Sequence, residues 1–219
     1  RGLNQASRNA QDAISMVQTA EGALNEVHAM LQRIRELAVQ YNNGTNDTNS
    51  KNSILAEVQQ LADAIGTVAS QTKFNGVSLL SGTGSTVTFQ VGANGGETLD
   101  VTFGGLDAGA AAVSAFVASA NVSAVFGTGT ATISAVDDAI NYVSTMRGRF
   151  GAAQNRLEHT INSLNVAAEN LAASESRIRD LDVAAEMVNF TKLQILQQAG
   201  TAILAQANQA PQSVLALLR

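Results

Sequence analysis

The sequence predicts a mainly α fold, an elongated antiparallel helical rod or coiled-coil bundle with a small β-hairpin region. Long segments at both ends of the chain carry apolar residues at seven-residue spacing, whereas the middle alternates apolar and polar residues. Seven-residue spacing keeps one row facing a partner helix, and strict alternation is typical of strands. The rows of the first segment are Leu3, Ala10, Val17, Leu24, Leu31 and Ala38, and Ala6, Ala13, Ala20, Val27, Ile34 and Tyr41. The row of the last segment is Val136, Val143, Phe150, Leu157, Leu164, Leu171 and Ile178.

The first segment predicts one helix over residues 1–41, about 60 Å long. We expect it to end at Asn42-Asn43-Gly44, where Asn and Gly adopt the left-handed conformation that closes many helices. Residues 45–52 read as a polar turn. A second helix then follows, with apolar residues at alternating steps of four and three: Ile54, Val58, Leu61, Ile65 and Val68.

The middle of the chain predicts a β-hairpin. Residues 86–91 and 98–103 alternate, so that Phe89 and Phe103 lie on apolar faces of their strands. The segment between them contains Asn94-Gly95, a strong turn signal. Residues 104–132 are almost wholly small, and we expect a short loop or a little β-rich cap there.

The last segment predicts a long helix from about Ser134 to Arg179. Ser134-Ala135-Val136-Asp137 resembles a capping box, which places Asp137 and Asp138 at the positive end of the helix. A polar stretch around 177–180 separates it from a final helical segment over about 183–209, which we expect Pro211 to interrupt.

Composition argues against several functional classes. The net charge is −5 and no long basic run occurs, which disfavours nucleic acid and anionic membranes as partners. Cysteine is absent, which excludes thiol catalysis. His28 and His159 are the only histidines and lack a metal-ligand spacing, so we expect no cofactor and no metal. The pair Asp137-Asp138 is better explained by helix capping than by catalysis, and nothing in the chain indicates an enzyme.

Several motifs in order resemble bacterial flagellin. They are Gly22-Ala23-Leu24-Asn25-Glu26, the run from Leu31 to Gln40, Thr72-Lys73-Phe74-Asn75-Gly76-Val77, Gln90-Val91-Gly92-Ala93-Asn94, and the C-terminus from Gln194 to Arg219. The resemblance covers about 1–103 and 133–219. It implies an N-terminal part of the rod (inner-tube) domain with the β-hairpin over 1–103, a short variable outer loop or mini-domain over 104–132, the C-terminal rod helix over 133–180, and a C-terminal core-domain helix over 181–219. The chain opens inside the heptad pattern, so we expect that an N-terminal core helix has been removed.

The resemblance also implies a function. Flagellin is the structural subunit that self-assembles into the extracellular flagellar filament for motility, and it is exported unfolded. The alternative within the same family is a hook–filament junction protein. The implied partners are other flagellin subunits, the flagellar export chaperone bound through the C-terminal segment, and the vertebrate Toll-like receptor for flagellin.

Two sets of site residues follow. Arg33, Leu37 and Glu57 match the family's receptor-binding positions, although solvated charges and a core leucine would also explain them. If they form one patch, the chain must turn after Asn42 so that Glu57 approaches Arg33. We expect assembly and chaperone contacts from apolar residues of the C-terminal segment: Val188, Ile195, Leu196, Ala199, Ile203, Leu215, Leu217 and Leu218.

Overall fold

The computed structural model describes residues 1–81, 85–106, 126 and 130–217, with side chains omitted at 130–132 and 209–217. Most of the predicted outer loop, 104–132, therefore lies outside the described residues, as do the side chains of Leu215, Leu217 and Leu218. The helices are α1 (Gly2–Tyr41), α2 (Thr48–Gln71), α3 (Thr130–Arg179) and α4 (Val183–Leu217). The strands are β1 (Lys73–Phe74), β2 (Val77–Ser78), β3 (Ser85–Gln90) and β4 (Thr98–Phe103). The mainly α prediction with a small β-hairpin region is confirmed.

The chain divides into two compact units, Arg1–Glu169 and Asn170–Arg219. In the first unit, α1 follows the predicted heptad rows closely. Every member of both rows is buried except Leu3 and Tyr41, which are partly exposed. The apolar row of α3 is likewise buried from Val136 to Leu164. Seven-residue spacing thus identified the buried faces of both long helices.

Polar contacts between α1 and α3 run in opposite directions along the two helices. Gln154 Nε2 donates to Glu21 Oε2 at 2.9 Å, and Arg35 Nε donates to Asp137 Oδ1 at 2.6 Å. Near the start of α1, Ser7 Oγ donates to Asn165 Oδ1 at 3.3 Å. Residue numbers that rise along α1 meet numbers that fall along α3, so the two helices pack antiparallel as predicted.

The end of α1 differs from the predicted left-handed cap. Asn42 has φ −75° and ψ −4°, in the right-handed helical region, and its N–H donates to Ala38 O at 3.2 Å. Gly44 does not have a positive φ either. Tyr41 packs edge-on against Phe126, with ring centroids 5.5 Å apart. Because this aromatic contact and the hydrogen bond complete the last turn, the helix ends where predicted without the left-handed residue.

The start of α3 also differs from its prediction. The helix begins at Thr130, so Ser134 lies inside it and the predicted capping box does not mark its first turn. Asp137 instead forms the ion pair with Arg35. In α2, by contrast, Asp47 is the N-terminal cap, and its Oδ1 accepts from Ser50 N–H at 2.8 Å. That contact orients the start of α2 immediately after the turn.

Two hairpins follow α2. In the first, Asn75 has φ +49° and Gly76 φ +82°, which are the positive angles that a two-residue turn between paired strands needs. In the second, β3 and β4 pair antiparallel, and Phe89 lies opposite Leu99. The apolar face of β4 is buried through Leu99, Val101 and Phe103, whereas Phe89 is only partly buried.

The second unit contains the end of α3 and α4. A break at 180–182 separates the two helices, as predicted. The predicted interruption at Pro211 is wrong, because α4 continues to Leu217. A proline in a helix loses one hydrogen bond and crowds the preceding turn, but this penalty need not end the helix. Among the described residues, no helix is long and apolar enough to cross a membrane.

Candidate functional site

A charged cluster joins α1 to α2 at the surface. Arg33 NH2 lies 2.8 Å from Glu57 Oε1, and Arg33 NH1 lies 3.0 Å from Glu36 Oε2. About half of the Arg33 side chain is exposed. The hydrogen bond that Arg33 donates to Glu57 is the main cause of an upward shift in the pKa of Arg33, followed by the one that it donates to Glu36. The cluster therefore presents one guanidinium between two carboxylates, open to solvent. The expected approach of Glu57 to Arg33 is confirmed.

Leu37 occupies a different environment from these charges. It follows Arg33 by one helical turn, yet only 2% of it is exposed and it belongs to the core between α1 and its neighbours. The structure thus brings Arg33 and Glu57 together at the surface and places Leu37 beneath it. Any role of Leu37 in binding must then depend largely on how it supports α1.

A second ion pair was missed by sequence reasoning. Arg35 and Asp137 are 102 positions apart and meet at 2.6 Å, with 49% and 41% of their side chains exposed. The hydrogen bond that Arg35 donates to Asp137 raises the pKa of Arg35. No local pattern could have found this pair, because it depends on the register between α1 and α3.

The α4 apolar surface is the largest unusual feature of the second unit. We define it as Met187, Val188, Phe190, Leu193, Ile195, Leu196, Ile203 and Leu204, each between 57% and 68% exposed. The predicted residues Val188, Ile195, Leu196 and Ile203 belong to it, and Ala199 is exposed beside them. Sequence reasoning did not name Met187 and Phe190, although both follow from the same apolar composition. Large apolar side chains cover more than one side of this helix and lie in contact with solvent.

The heptad row of α3 also changes character where the second unit begins. Leu164 is 8% exposed, whereas Leu171 is 61% and Ile178 is 88% exposed. The sequence pattern continues without interruption across this change. Residues 170–179 therefore carry a row built to face another helix, and that row is uncovered in this chain.

No metal or catalytic centre emerges from the described part of the chain. No group of three or more His, Cys, Asp or Glu within it could hold a metal ion. His28 Nε2 lies 3.0 Å from Gln32 Nε2, one turn along α1, and His159 is exposed on α3. The described features that stand out are therefore helix surfaces: the exposed Arg33–Glu57 pair and the α4 apolar surface.

Comparison with known proteins identifies the family. Residues 1–85 match the model of the bacterial flagellin N-terminal helical region, and residues 133–218 match that of the bacterial flagellin C-terminal helical region. The chain belongs to the bacterial flagellin family, whose members are structural proteins of the flagellar filament rather than enzymes.

Individual relatives agree with this assignment. A flagellin of Halalkalibacterium halodurans is 50% identical over all of this chain and 79% of its own length. A flagellin of Bacillus subtilis is 46% identical over all of this chain and 82% of its own length. The crystal structure of Bacillus cereus flagellin is 31% identical, covers 77% of this chain and 94% of that one, and superposes with a TM-score of 0.60.

Proposed function

We propose that this protein is the structural subunit of a bacterial flagellar filament, an extracellular homopolymer that serves motility. The observation that carries this proposal is the uncovered apolar surface of the second unit, in a chain whose relatives are flagellins. None of these observations favours the hook–filament junction alternative.

The size of the α4 apolar surface supports association with other helices. Burial of a large aliphatic or aromatic side chain contributes about 1.5–3 kcal/mol. For eight side chains that are more than half exposed, the gain on complete burial is on the order of 10 kcal/mol, before the entropic cost of association. A helix that is apolar on more than one side packs against several neighbours. Contacts with several subunits would bury the apolar side chains on the different sides of α4.

Assembly of the gene product that contains this chain tests the proposal. Ile195→Asp places a charge on the α4 apolar surface, and Gln197→Asp places the same charge two residues away at an exposed polar position. Under assembly conditions, wild type and Gln197→Asp should sediment as filaments visible by negative-stain microscopy, whereas Ile195→Asp should remain dispersed. Filaments formed equally by both variants would refute the role of this surface, and capping of preformed filaments without growth would favour a junction protein.

The export chaperone is the second partner that we propose, bound through the same C-terminal segment before assembly. This proposal is supported by the exposed α4 apolar surface, which a partner would shield from solvent before the chain polymerises. Leu196→Asp should abolish binding of the full chain to the purified chaperone in calorimetry, and Gln197→Asp should leave it unchanged. Equal affinity of both variants would place the chaperone site elsewhere.

The vertebrate Toll-like receptor for flagellin is the third proposed partner, with Arg33, Leu37 and Glu57 as its binding residues. The proposal is supported by the exposed Arg33–Glu57 pair and by the position of Leu37 one turn further along the same helix. Arg33 and Glu57 would contact the receptor, and Leu37 would hold α1 in register beneath them.

Receptor signalling by matched variants separates recognition from stability. Arg35→Ala is the control for Arg33→Ala, because both arginines are about half exposed and paired with a carboxylate from another helix. Leu31→Ala is the control for Leu37→Ala, because both leucines are buried on α1. We expect signalling to fall for the Arg33 and Leu37 variants and to persist for the controls below their melting temperatures. Equal signalling within each pair would refute the assignment.

A further inference from the structure

Three Asn-Gly dipeptides lie in exposed turns of the first unit: Asn43-Gly44, Asn75-Gly76 and Asn94-Gly95. In such a dipeptide the deprotonated backbone nitrogen of glycine can attack Cγ of the asparagine side chain. A C–N bond forms, the bond from Cγ to Nδ2 breaks, and the departing NH2 group takes a proton from water and leaves as ammonia. Water then opens the resulting succinimide to aspartate or isoaspartate. Glycine permits this attack because it has no β carbon.

The backbone around Asn75 resists this cyclisation. Ring closure requires rotation about the bonds of the asparagine backbone, and Asn75 is confined to a two-residue turn with φ +49°. The flanking residues Phe74 and Val77 are directly paired in the antiparallel β1–β2 ladder. Rotation at Asn75 therefore has to break the strand pairing on both sides of the turn.

Asn94 is restrained by its side chain as well as its backbone. Its Nδ2 donates to Glu97 Oε1 at 3.0 Å, and its backbone N–H donates to Glu97 Oε2, also at 3.0 Å. Its carbonyl oxygen accepts from Gln90 Nε2 at 2.7 Å. The amino group that would leave is thus bound to a carboxylate. That charge also disfavours the anion that must form on the neighbouring Gly95 nitrogen.

Asn43 lacks these restraints on its reacting group. Its Oδ1 accepts from Thr45 N–H at 3.2 Å, which draws electron density away from Cγ. Within the part of the chain that the structure describes, its Nδ2 has no hydrogen-bond partner. Its backbone N–H donates to Gln40 O at 3.1 Å and its carbonyl accepts from Asn46 N–H at 3.2 Å, both at an exposed turn. Nothing lies within 4 Å of the position that a β carbon on Gly44 would occupy, and the same holds for Gly76 and Gly95, so the restraints on asparagine rather than crowding at glycine separate the three sites.

We infer that Asn43 is a site of spontaneous deamidation, and that the fold protects the chemically equivalent Asn75 and Asn94. The inference is independent of the proposed function. Aspartate at 43 adds a negative charge to the turn between α1 and α2. Isoaspartate adds a methylene carbon to the backbone of that turn. The same turn orients α2 beside α1. The modification therefore accumulates with the age of the protein at the connection that brings Glu57 to Arg33.

Peptide mapping by mass spectrometry tests the inference in one chain, with each Asn-Gly site as a control for the others. The full protein is incubated at mildly alkaline pH, once folded and once in urea, and digested at intervals. Circular dichroism confirms that the first sample stays helical. An isoaspartyl methyltransferase assay identifies isoaspartate. Gly44→Ala, at a position without positive φ and without close neighbours, should slow the reaction at Asn43 alone.

In the folded protein, Asn43 should lose its amide about tenfold faster than Asn94, because release from a charged hydrogen-bond partner adds to the barrier. Asn75 should also react more slowly than Asn43, and all three sites should react at similar rates in urea. Similar rates at the three sites in the folded protein, or a faster reaction at Asn75 or Asn94, would overturn the inference. A rate at Asn43 unchanged by Gly44→Ala would show that cyclisation is not the route.

Discussion

Phe103 is the residue through which the β3–β4 hairpin packs most completely on the helices. Its side chain is fully buried, and its ring lies 5.4 Å from that of Phe150 on α3, at an interplanar angle of 50°. Phe89, which the sequence places on an apolar face of the same hairpin, is only partly buried. Removal of the Phe103 ring therefore opens a cavity between β4 and α3 that solvent cannot fill readily.

The expected magnitude follows from this burial. Phe103→Ala should lower the free energy of unfolding by about 3–5 kcal/mol, as for other buried phenylalanines. Phe89→Ala should cost less, about 1–3 kcal/mol, since part of its ring already contacts water. For a chain of this size, each kcal/mol lowers the melting temperature by about 2–4 °C.

Thermal and urea denaturation followed by circular dichroism provides the assay. Thr98→Ala is the control, because Thr98 begins the same strand on its exposed face and should change stability by less than about 0.5 kcal/mol. A double-mutant cycle with Phe150→Ala should reveal a coupling of about 0.5–1.5 kcal/mol between the two rings. An unchanged melting temperature for Phe103→Ala would refute the packing argument, and a larger effect of Phe89→Ala would refute the ranking.

Three further predictions concern other elements. Hydrogen bonds from Ser50 lower the pKa of Asp47 below 3.8, so its stabilising charge is present above that pH and is lost as pH falls through the lowered pKa; stability measured across this range should fall more for wild type than for Asp47→Asn. Gly92→Ala should destabilise the hairpin by about 1–3 kcal/mol, because its β carbon would clash with Glu97 Cβ, whereas Gly95→Ala, with nothing within 4 Å, should have little effect on the melting temperature. Amides of α4 should exchange rapidly with deuterium in dispersed protein and be protected in filaments; strong protection in a verified monomer would show that α4 is already covered.

Much of the fold could be predicted because burial has a local signature. The buried residues of α1 recur with the heptad spacing, and β4 buries alternate residues as its pattern requires. The bounds of α1 and of both strands were correct to about one residue. The start of α3 and the conformation at the end of α1 were less predictable: Thr130 rather than Ser134 begins α3, and Asn42 stays right-handed. Ends are decided by a few hydrogen bonds and contacts, whose energies are small compared with those of a long apolar row.

The candidate site likewise has some features that the sequence predicted and others that it left open. The approach of Glu57 to Arg33 was predicted from a turn between two helices, and the structure confirms it. The burial of Leu37 beneath these charges was left open by the sequence, since a residue next to a heptad row can face either the core or the solvent. The exposure of the α4 apolar surface likewise could not be decided from composition, which is that of a buried helix.

The sequence by itself determined which residues are apolar, at what spacing, and hence which faces of the helices and strands need a partner. Only the tertiary structure decided which partner each face meets: Phe150 for Phe103, Asp137 for Arg35, and solvent for Leu171 and Ile178. The physical reason is that periodicity is a property of one element, whereas register is a property of two. Contacts between residues far apart in the chain depend on how all the elements pack at once, and no local pattern records that packing.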